Sequence, residues 1–502
     1  NFGGKIMAEK RRVLALLLTA LTIGSVSCGS AASSGNETTT GGGETSDTTA
    51  EESTRASAAV EGKDYGGKTF DIFVSGNWTN EWTESYDFFS EGETGDTVND
   101  AVYRRNSIIE DRYNVKINEI NIRGEASGGN GEGAQTISKA VMSGDTSYDA
   151  AMIGTYDVSN LACQGYLLDL NSQVPGLDLT KEWWDQKANA DLSMKGKMYF
   201  TTGDISTLDN DCTYCILFNK KLISDYNMED PYEMVRNKTW TMDNFSSMAK
   251  KVSVDLDGDT KMTENDLYGM CIWQDGVLAS INACGGAICK IDDNGQIELT
   301  LNTERNIDML SKFMDLITDR SVAYSIYHSG DYIENMFAND QVLFYNRYLN
   351  IVKKYRNMNT DFGILPFPLY DSAQEEYYTT VHAYGNSFIC VPSVVEDAEM
   401  TGIILQDMAC ESMYTVTPAY YDVQLEGKIM RDNESSDMLD IILSTRLYDV
   451  GATYQIGGYN EKLMDMFRFN KTDFASMYSK YEAKAQQDID KVNDAFAEVI
   501  NG

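Results

Sequence analysis

Lys68-Thr-Phe-Asp-Ile-Phe-Val74, Val98 to Tyr113, Val115-Lys-Ile-Asn-Glu-Ile120, Ala134 to Met142 and Tyr148-Asp-Ala-Ala-Met-Ile-Gly154 follow one another in the chain, and their patterns decide the fold class. The first is a short apolar run of strand length. In the second, Val102, Ile108 and Ile109 lie at helical spacing, and the third alternates like a half-buried strand. A glycine-rich loop at 124–133 leads into the fourth, a helix, and the fifth is again a strand. Strand, helix, strand, helix, strand in that order implies a parallel sheet covered by helices, because parallel neighbours need a long crossover between them.

The same α/β alternation continues downstream. Cys212-Thr-Tyr-Cys-Ile-Leu-Phe218 reads as a strand, as do 268–273, 341–346 and 387–391. Helices are predicted at 241–252, 302–318, 331–338, 397–412, 434–445 and 471–499. A chain of 502 residues, 42% hydrophobic, is long enough for two α/β domains with separate cores.

Upstream of Lys68 the sequence reads as targeting and tether. Lys10, Arg11 and Arg12 precede Val13 to Ile23, which is apolar apart from Thr19 and Thr22. That run is too short to cross a hydrocarbon core of about 30 Å, but suits a signal peptide. Gly24, Ser25, Val26 and Ser27 then lead to Cys28, a pattern that resembles a bacterial lipobox, with Ser25 where leucine is commonest. An ordinary signal peptide cut nearby is the alternative. Met7 is expected to be the true start, with the six residues before it a translated leader. Residues 1–28 are therefore assigned as leader and signal peptide, and 29–64 as a disordered tether. The tether is Ser, Thr, Gly, Glu and Ala, too polar to offset the entropy of ordering.

The net charge is −36, which disfavours nucleic acid and anionic membrane surfaces as partners. The two histidines, His328 and His382, supply zinc sites and Ser-His-Asp triads poorly. Nine cysteines show no dense framework. Cys212 and Cys215 are three apart on a strand, so they point to opposite faces and read as structural thiols.

Four further segments are Gly95-Asp-Thr-Val-Asn-Asp-Ala-Val-Tyr-Arg-Arg105, Leu217-Phe-Asn-Lys-Lys-Leu222, Asp361-Phe-Gly-Ile-Leu-Pro-Phe-Pro368 and Thr415-Val-Thr-Pro-Ala-Tyr-Tyr421. In this order, downstream of the lipobox, they resemble the family 1 extracellular solute-binding proteins of ABC transporters, the maltose-binding-protein-like group. The resemblance implies an α/β, two-lobed periplasmic-binding-protein-like (type II) fold with a hinge and an interlobe cleft. Phe218-Asn219-Lys220 resembles the first crossing between lobes, and Met336-Phe-Ala-Asn-Asp-Gln-Val-Leu-Phe-Tyr345 the return to the first lobe. The expected lobes are 65–211 with 331–392, and 212–330 with 393–502. The implied protein is no enzyme. It is an extracytoplasmic monomer, anchored to the bacterial cell membrane by an N-terminal lipid, that captures a solute and delivers it to ABC permease subunits. A carbohydrate, most simply an oligosaccharide, is the expected cargo. An extracellular carbohydrate-active enzyme and a sensory or adhesive lipoprotein are the alternatives.

Two sets of site residues are expected. Ligands of open α/β sheets bind beyond the carboxyl ends of strands. Trp78, Trp82, Tyr156, Asp157, Trp273 and Tyr348 fall at or after strand ends, and Asp209 and Asn210 precede the crossing at 212. Aromatic rings would stack on a sugar while Asp and Asn bind its hydroxyls. Trp183 and Trp184 are expected to pack within a lobe instead. Separately, Asp255-Leu-Asp-Gly-Asp-Thr-Lys-Met-Thr-Glu-Asn-Asp266 resembles a calcium loop. Asp255, Asp257 and Asp259 stand at positions 1, 3 and 5, Lys261 offers its carbonyl at 7, Thr263 stands at 9 and Asp266 at 12. Thr260 replaces the usual glycine, and Asp266 is shorter than the usual Glu, so a solvated acidic turn is the other reading. A structural Ca²⁺ is the only cofactor expected.

Lipidation at Cys28 has a direct consequence. Cys28→Ser should release the protein into the medium, as measured by fractionating cells; full retention on the membrane would refute the anchor.

Overall fold

The computed structural model describes residues 55–76, 87–122, 128–325, 332–425 and 433–501. The signal-peptide segment, Cys28 and most of the expected tether lie outside these. Two units are distinguished, 1–58 and 59–502, and every element below belongs to the second.

The chain enters through β1 (Lys68–Ser75), β2 (Val115–Asn121) and β3 (Ala150–Gly154), with the helices Thr97–Tyr113 and Glu132–Ser143 between them. β1 pairs in parallel with both β2 and β3, as the opening pattern predicts. The first helix starts where Asp96 accepts the Asn99 N–H and stops at Asn114 in the left-handed conformation. β4 (Phe200–Thr201) closes one edge of this first sheet.

The second sheet is built from β5 (Tyr214–Asn219), β6 (Tyr268–Ile272), β9 (Ala323–Ser325), β10 (Val342–Tyr348) and β11 (Phe362–Leu365). Its order is β11-β5-β10-β6-β9. A hairpin of β7 (Cys289–Ile291) and β8 (Ile297–Leu299) lies between β6 and β9 in sequence. After β12 (Thr379–Thr380), β13 (Ser387–Cys390) returns to the first sheet, antiparallel to β3 and β4. β14 (Arg446–Leu447) pairs with β12.

Three segments join the lobes. Thr213 pairs with Val381, and the His382 N–H donates to the Cys212 carbonyl at 2.9 Å. The Val381 N–H donates to the Leu447 carbonyl at 3.2 Å. The hinge is therefore a small sheet of residues near 213, 381 and 447.

Three expectations about the lobes are corrected. Residues 342–365 join the second sheet, not the first. β10 is inserted between β5 and β6 with all its residues buried, the position that its apolar run Val342-Leu-Phe-Tyr345 suits. Phe218-Asn219-Lys220 is no crossing. Asn219 ends β5 and its side chain accepts the Leu222 N–H, opening the helix Lys220–Asp225 at the end of the strand away from the hinge. Nor does 393–502 belong wholly to the second lobe. The helices Ala398–Tyr414 and Val416–Leu425 pack on the first-lobe helix Thr97–Tyr113. Arg112 pairs with the buried Asp407 and with Glu411 at 2.9 Å, and the Tyr113 hydroxyl donates to Asp407 at 2.8 Å. The Asn433–Ser444 helix packs against β11, and the helix Tyr459–Arg468 against the helix Gly276–Ala283, both on the second-lobe side. The terminal helix Phe474–Asn501 touches both sides. Phe496 meets Tyr199 at 5.5 Å, and Asn493 exchanges two hydrogen bonds with the backbone of Ile297 on β8.

Trp183 and Trp184 are buried, as expected, with the Trp184 indole donating to Gln406 at 2.8 Å. Cys212 and Cys215 are buried, and no disulfide joins the eight described cysteines. No helix among the described residues is long and apolar enough to cross a membrane.

Candidate functional site

The carboxyl ends of β3, β6 and β10 and the second crossing bring one cluster together. Tyr156 opens the helix that follows β3, Trp273 and Asp275 follow β6, and Arg347 and Tyr348 end β10. His382 and Tyr384 come from the turn between β12 and β13. Asp275 is the hub. It accepts the Tyr348 hydroxyl at 2.6 Å, and the Arg347 guanidinium and His382 Nε2 each lie 3.8 Å away. Tyr348 in turn accepts from the Tyr214 hydroxyl at 3.4 Å. Arg347 lies 4.2 Å over the Trp273 ring and 4.6 Å over Tyr348, a stacked cation that also faces a carboxylate. The Trp273 indole N–H donates to the Tyr345 hydroxyl at 3.3 Å.

Aromatic rings continue across the lobes. His382 is 4.8 Å from Tyr348 and 6.1 Å from Tyr384, which is 6.2 Å from Tyr156. Tyr384 is 38% exposed, so the cluster opens to solvent there. The helix Tyr459–Arg468 runs alongside. Asn460 near its start donates to the Tyr156 hydroxyl at 3.4 Å, and Arg468 at its end donates to Gln274 at 3.2 Å. Two buried amides border the cluster, Asn346 on β10 and Asn386 before β13, and neither side chain has a hydrogen-bond partner among the described residues. A Cβ on Gly276 would lie 2.9 Å from the Asn346 Oδ1, so glycine there lets the helix after Asp275 start hard against β10.

Of the residues expected to contact ligand, Tyr156, Trp273 and Tyr348 are in this cluster, Tyr348 fully buried beneath it. Trp78 and Trp82 lie outside the described residues. Asp157 is occupied elsewhere: 3% exposed, it accepts the N–H groups of Gly131 and Ala134 and so caps the Glu132–Ser143 helix. Asp209 and Asn210 are committed to the hinge. Asp209 is 1% exposed and pairs with Arg446 at 3.0 Å, and the Asn210 Oδ1 accepts from the same guanidinium at 2.8 Å. Burial pushes the Asp209 carboxyl up to about 7, and Arg446 works against that shift. A buried carboxylate must find a donor, and the hinge supplies it before any ligand arrives. Arg347, Asp275, His382 and Tyr384 were not expected. Arg347 and Asp275 each stand within two residues of an expected aromatic, which is the signal that would have found them.

The acidic loop has two parts. Carboxylate oxygens of Asp255, Asp257 and Asp259 lie within 4.8 Å of one another. Asp266 faces inward, accepting from the Leu256 N–H at 2.9 Å and the Thr263 N–H at 2.7 Å, and the Thr263 hydroxyl also donates to it. Thr260 holds φ +69°, the conformation for which calcium loops use glycine.

Residues 111–403 match the family of bacterial extracellular solute-binding proteins, and the chain belongs to that family. It is by kinship an extracytoplasmic binding protein. No curated protein matches the chain in sequence. Among solved structures, it is similar to a cyclo/maltodextrin-binding protein complexed with maltotetraose, with a TM-score of 0.55 at 14% identity over 87% of this chain and 99% of that one. It is also similar to an ABC substrate-binding protein of Listeria monocytogenes in complex with cycloalternan, with a TM-score of 0.52 at 14% identity over 86% and 99%. A third is UgpB of Mycobacterium tuberculosis in complex with glycerophosphocholine, with a TM-score of 0.54 at 16% identity over 85% and 100%. At these identities the likeness is one of fold, and the two-lobed fold expected from sequence is the one observed.

Burial pushes the His382 imidazole below its ordinary value of 6.5; Asp275 pulls it back and Arg347 presses it further down. A histidine kept neutral in the fold gains a proton on unfolding once the pH falls below the unfolded value, so unfolding is then favoured. Between about pH 7.5 and 5, wild type should therefore lose stability relative to His382→Asn, as read in urea melts. Parallel pH slopes for the two proteins would show that His382 is not held neutral.

Proposed function

We propose that this chain is the solute-capturing component of an ABC importer and that its cargo is a neutral carbohydrate bound in the interlobe cleft. The observation that carries the reading is the ring cluster. Tyr156 of the first lobe, Trp273 and Tyr348 of the second and Tyr384 of the crossing stand around the Asp275–Arg347 pair. Aromatic faces match the apolar face of a sugar ring, and a carboxylate beside a guanidinium matches hydroxyls that both donate and accept. One face of Trp273 lies under Arg347, so the stacking surface for a sugar is the opposite face. Residues in two lobes that contact one ligand favour hinge closure around it. Maltotetraose and cycloalternan in two structural relatives support a sugar as cargo. Delivery would be to permease subunits from a chain held at the membrane through a lipid on Cys28.

Trp273→Ala should weaken sugar binding by about 2–4 kcal/mol if it is a central anchor, roughly 30- to 1000-fold. Titration calorimetry after a thermal-shift panel of neutral oligosaccharides would measure it. If wild type binds none of the panel but does bind another solute, the cargo is not a sugar, while the fold stands.

Residues 255–266 are proposed to hold a structural Ca²⁺ through Asp255, Asp257 and Asp259, with the Lys261 carbonyl and Thr263 as further oxygen donors. The three converging carboxylates support this, although Asp266 already serves the loop's own backbone. Calcium should raise the melting temperature of chelator-treated protein by mass action, and Asp255→Ala should remove the response. Identical melting with and without calcium would leave the loop an acidic turn.

A further inference from the structure

A second concavity of about 240 Å³ lies beside the hinge and shares no lining residue with the ring cluster. Its walls come from separate parts of the chain. The helix Gln186–Leu192 contributes Asp191, β7 contributes Lys290, and the crossings contribute Tyr378 and Tyr448. Tyr378 precedes β12 and His382 follows it, so one crossing serves both this cavity and the cleft.

Its carboxylates differ in what they already hold. Asp449 is saturated, accepting the N–H groups of Ile288, Gly451 and Ala452 and the Asn282 amide. Among the described residues, Asp191 accepts only the Tyr448 N–H, at 2.9 Å, and has no cation at ion-pair distance. Lys290 does not fill that place, because its ammonium donates to the Gly285 carbonyl at 2.8 Å. Burial pushes the Asp191 carboxyl up to about 6; the Tyr448 N–H and Lys187 oppose this, while Asp185 and Asp449 reinforce it. A positive charge in the cavity would offset that cost.

We propose that this cavity is a second ligand site, taking a small molecule whose primary ammonium group pairs with Asp191 beside the Tyr378 and Tyr448 rings. The ammonium would meet a carboxylate with tyrosine side chains in the same wall, surroundings that suit an organic cation. The volume is below the roughly 300–1,000 Å³ of sites for drug-sized ligands, so the occupant is small and is not an oligosaccharide. The inference does not depend on what the cleft binds.

Calorimetry on the full chain with butylamine, and with butan-1-ol as its neutral counterpart, tests this at physiological salt. Butylamine should bind saturably to one site, with butan-1-ol at least tenfold weaker. Asp191→Asn keeps a carbonyl for the Tyr448 N–H, so it should melt like wild type yet lose at least tenfold in amine affinity. Tyr378→Ala should weaken the amine as well. Asp111→Asn, at an exposed acidic residue on the helix Thr97–Tyr113, should leave binding unchanged and so exclude general attraction to an acidic surface. Equal amine binding by Asp191→Asn and wild type, equal binding of the alcohol, or no saturable heat from butylamine would overturn the proposal.

Discussion

Arg446 is buried between two carboxylates at the third crossing, 2.6 Å from Asp185 and 3.0 Å from Asp209. Breaking such a pair leaves a charge in the interior, at a cost of roughly 3–5 kcal/mol. The crossing is therefore held in one register against the first lobe. Asn210 adds a further acceptor for the guanidinium, and the Tyr448 hydroxyl donates to Asp185 at 2.9 Å. β14 carries Arg446 and pairs with β12, and the adjoining Val381 pairs with Thr213. One buried guanidinium thus fixes the strip of backbone about which the lobes are joined.

What that strip carries follows from its register. Beyond Val381, the second crossing delivers His382 and Tyr384 to the second-lobe residues Asp275 and Tyr348. Before Thr379, the same crossing lines the Asp191 cavity with Tyr378. A change in the angle between the lobes would act on both places, because each has walls from both sides of the hinge. The terminal helix Phe474–Asn501 adds a further tie, with Phe496 against Tyr199 and Asn493 against β8.

The carboxylates divide by burial. Asp157 and Asp209, almost wholly buried, are spent on a helix terminus and an ion pair. Asp275 is also paired, but it stands at a strand end among rings that reach solvent at Tyr384. Asp191 is only partly covered and keeps an oxygen without a donor among the described residues. Burial and the donors already held thus separate carboxylates that sequence position alone groups together.

The sequence by itself determined the local elements. Apolar periodicity placed β1, β2, β3 and their two helices within a few residues of where they lie, because each element must bury one face of its own. It also placed Tyr156, Trp273 and Tyr348 at strand ends, and it found the three converging aspartates of the acidic loop, whose spacing acts over a few residues. Only the tertiary structure decided which sheet each strand joins. An apolar run such as Val342-Leu-Phe-Tyr345 suits the centre of either sheet, and its hydrogen-bonding partners, 214–219 and 268–272, are chosen over long stretches of chain. The same holds for the site. Asp275, Arg347 and His382 meet because three strand ends converge, and Asp209 is withdrawn because Arg446 arrives from more than two hundred residues away. Periodicity records which face of an element is buried, but it does not record what that face is buried against.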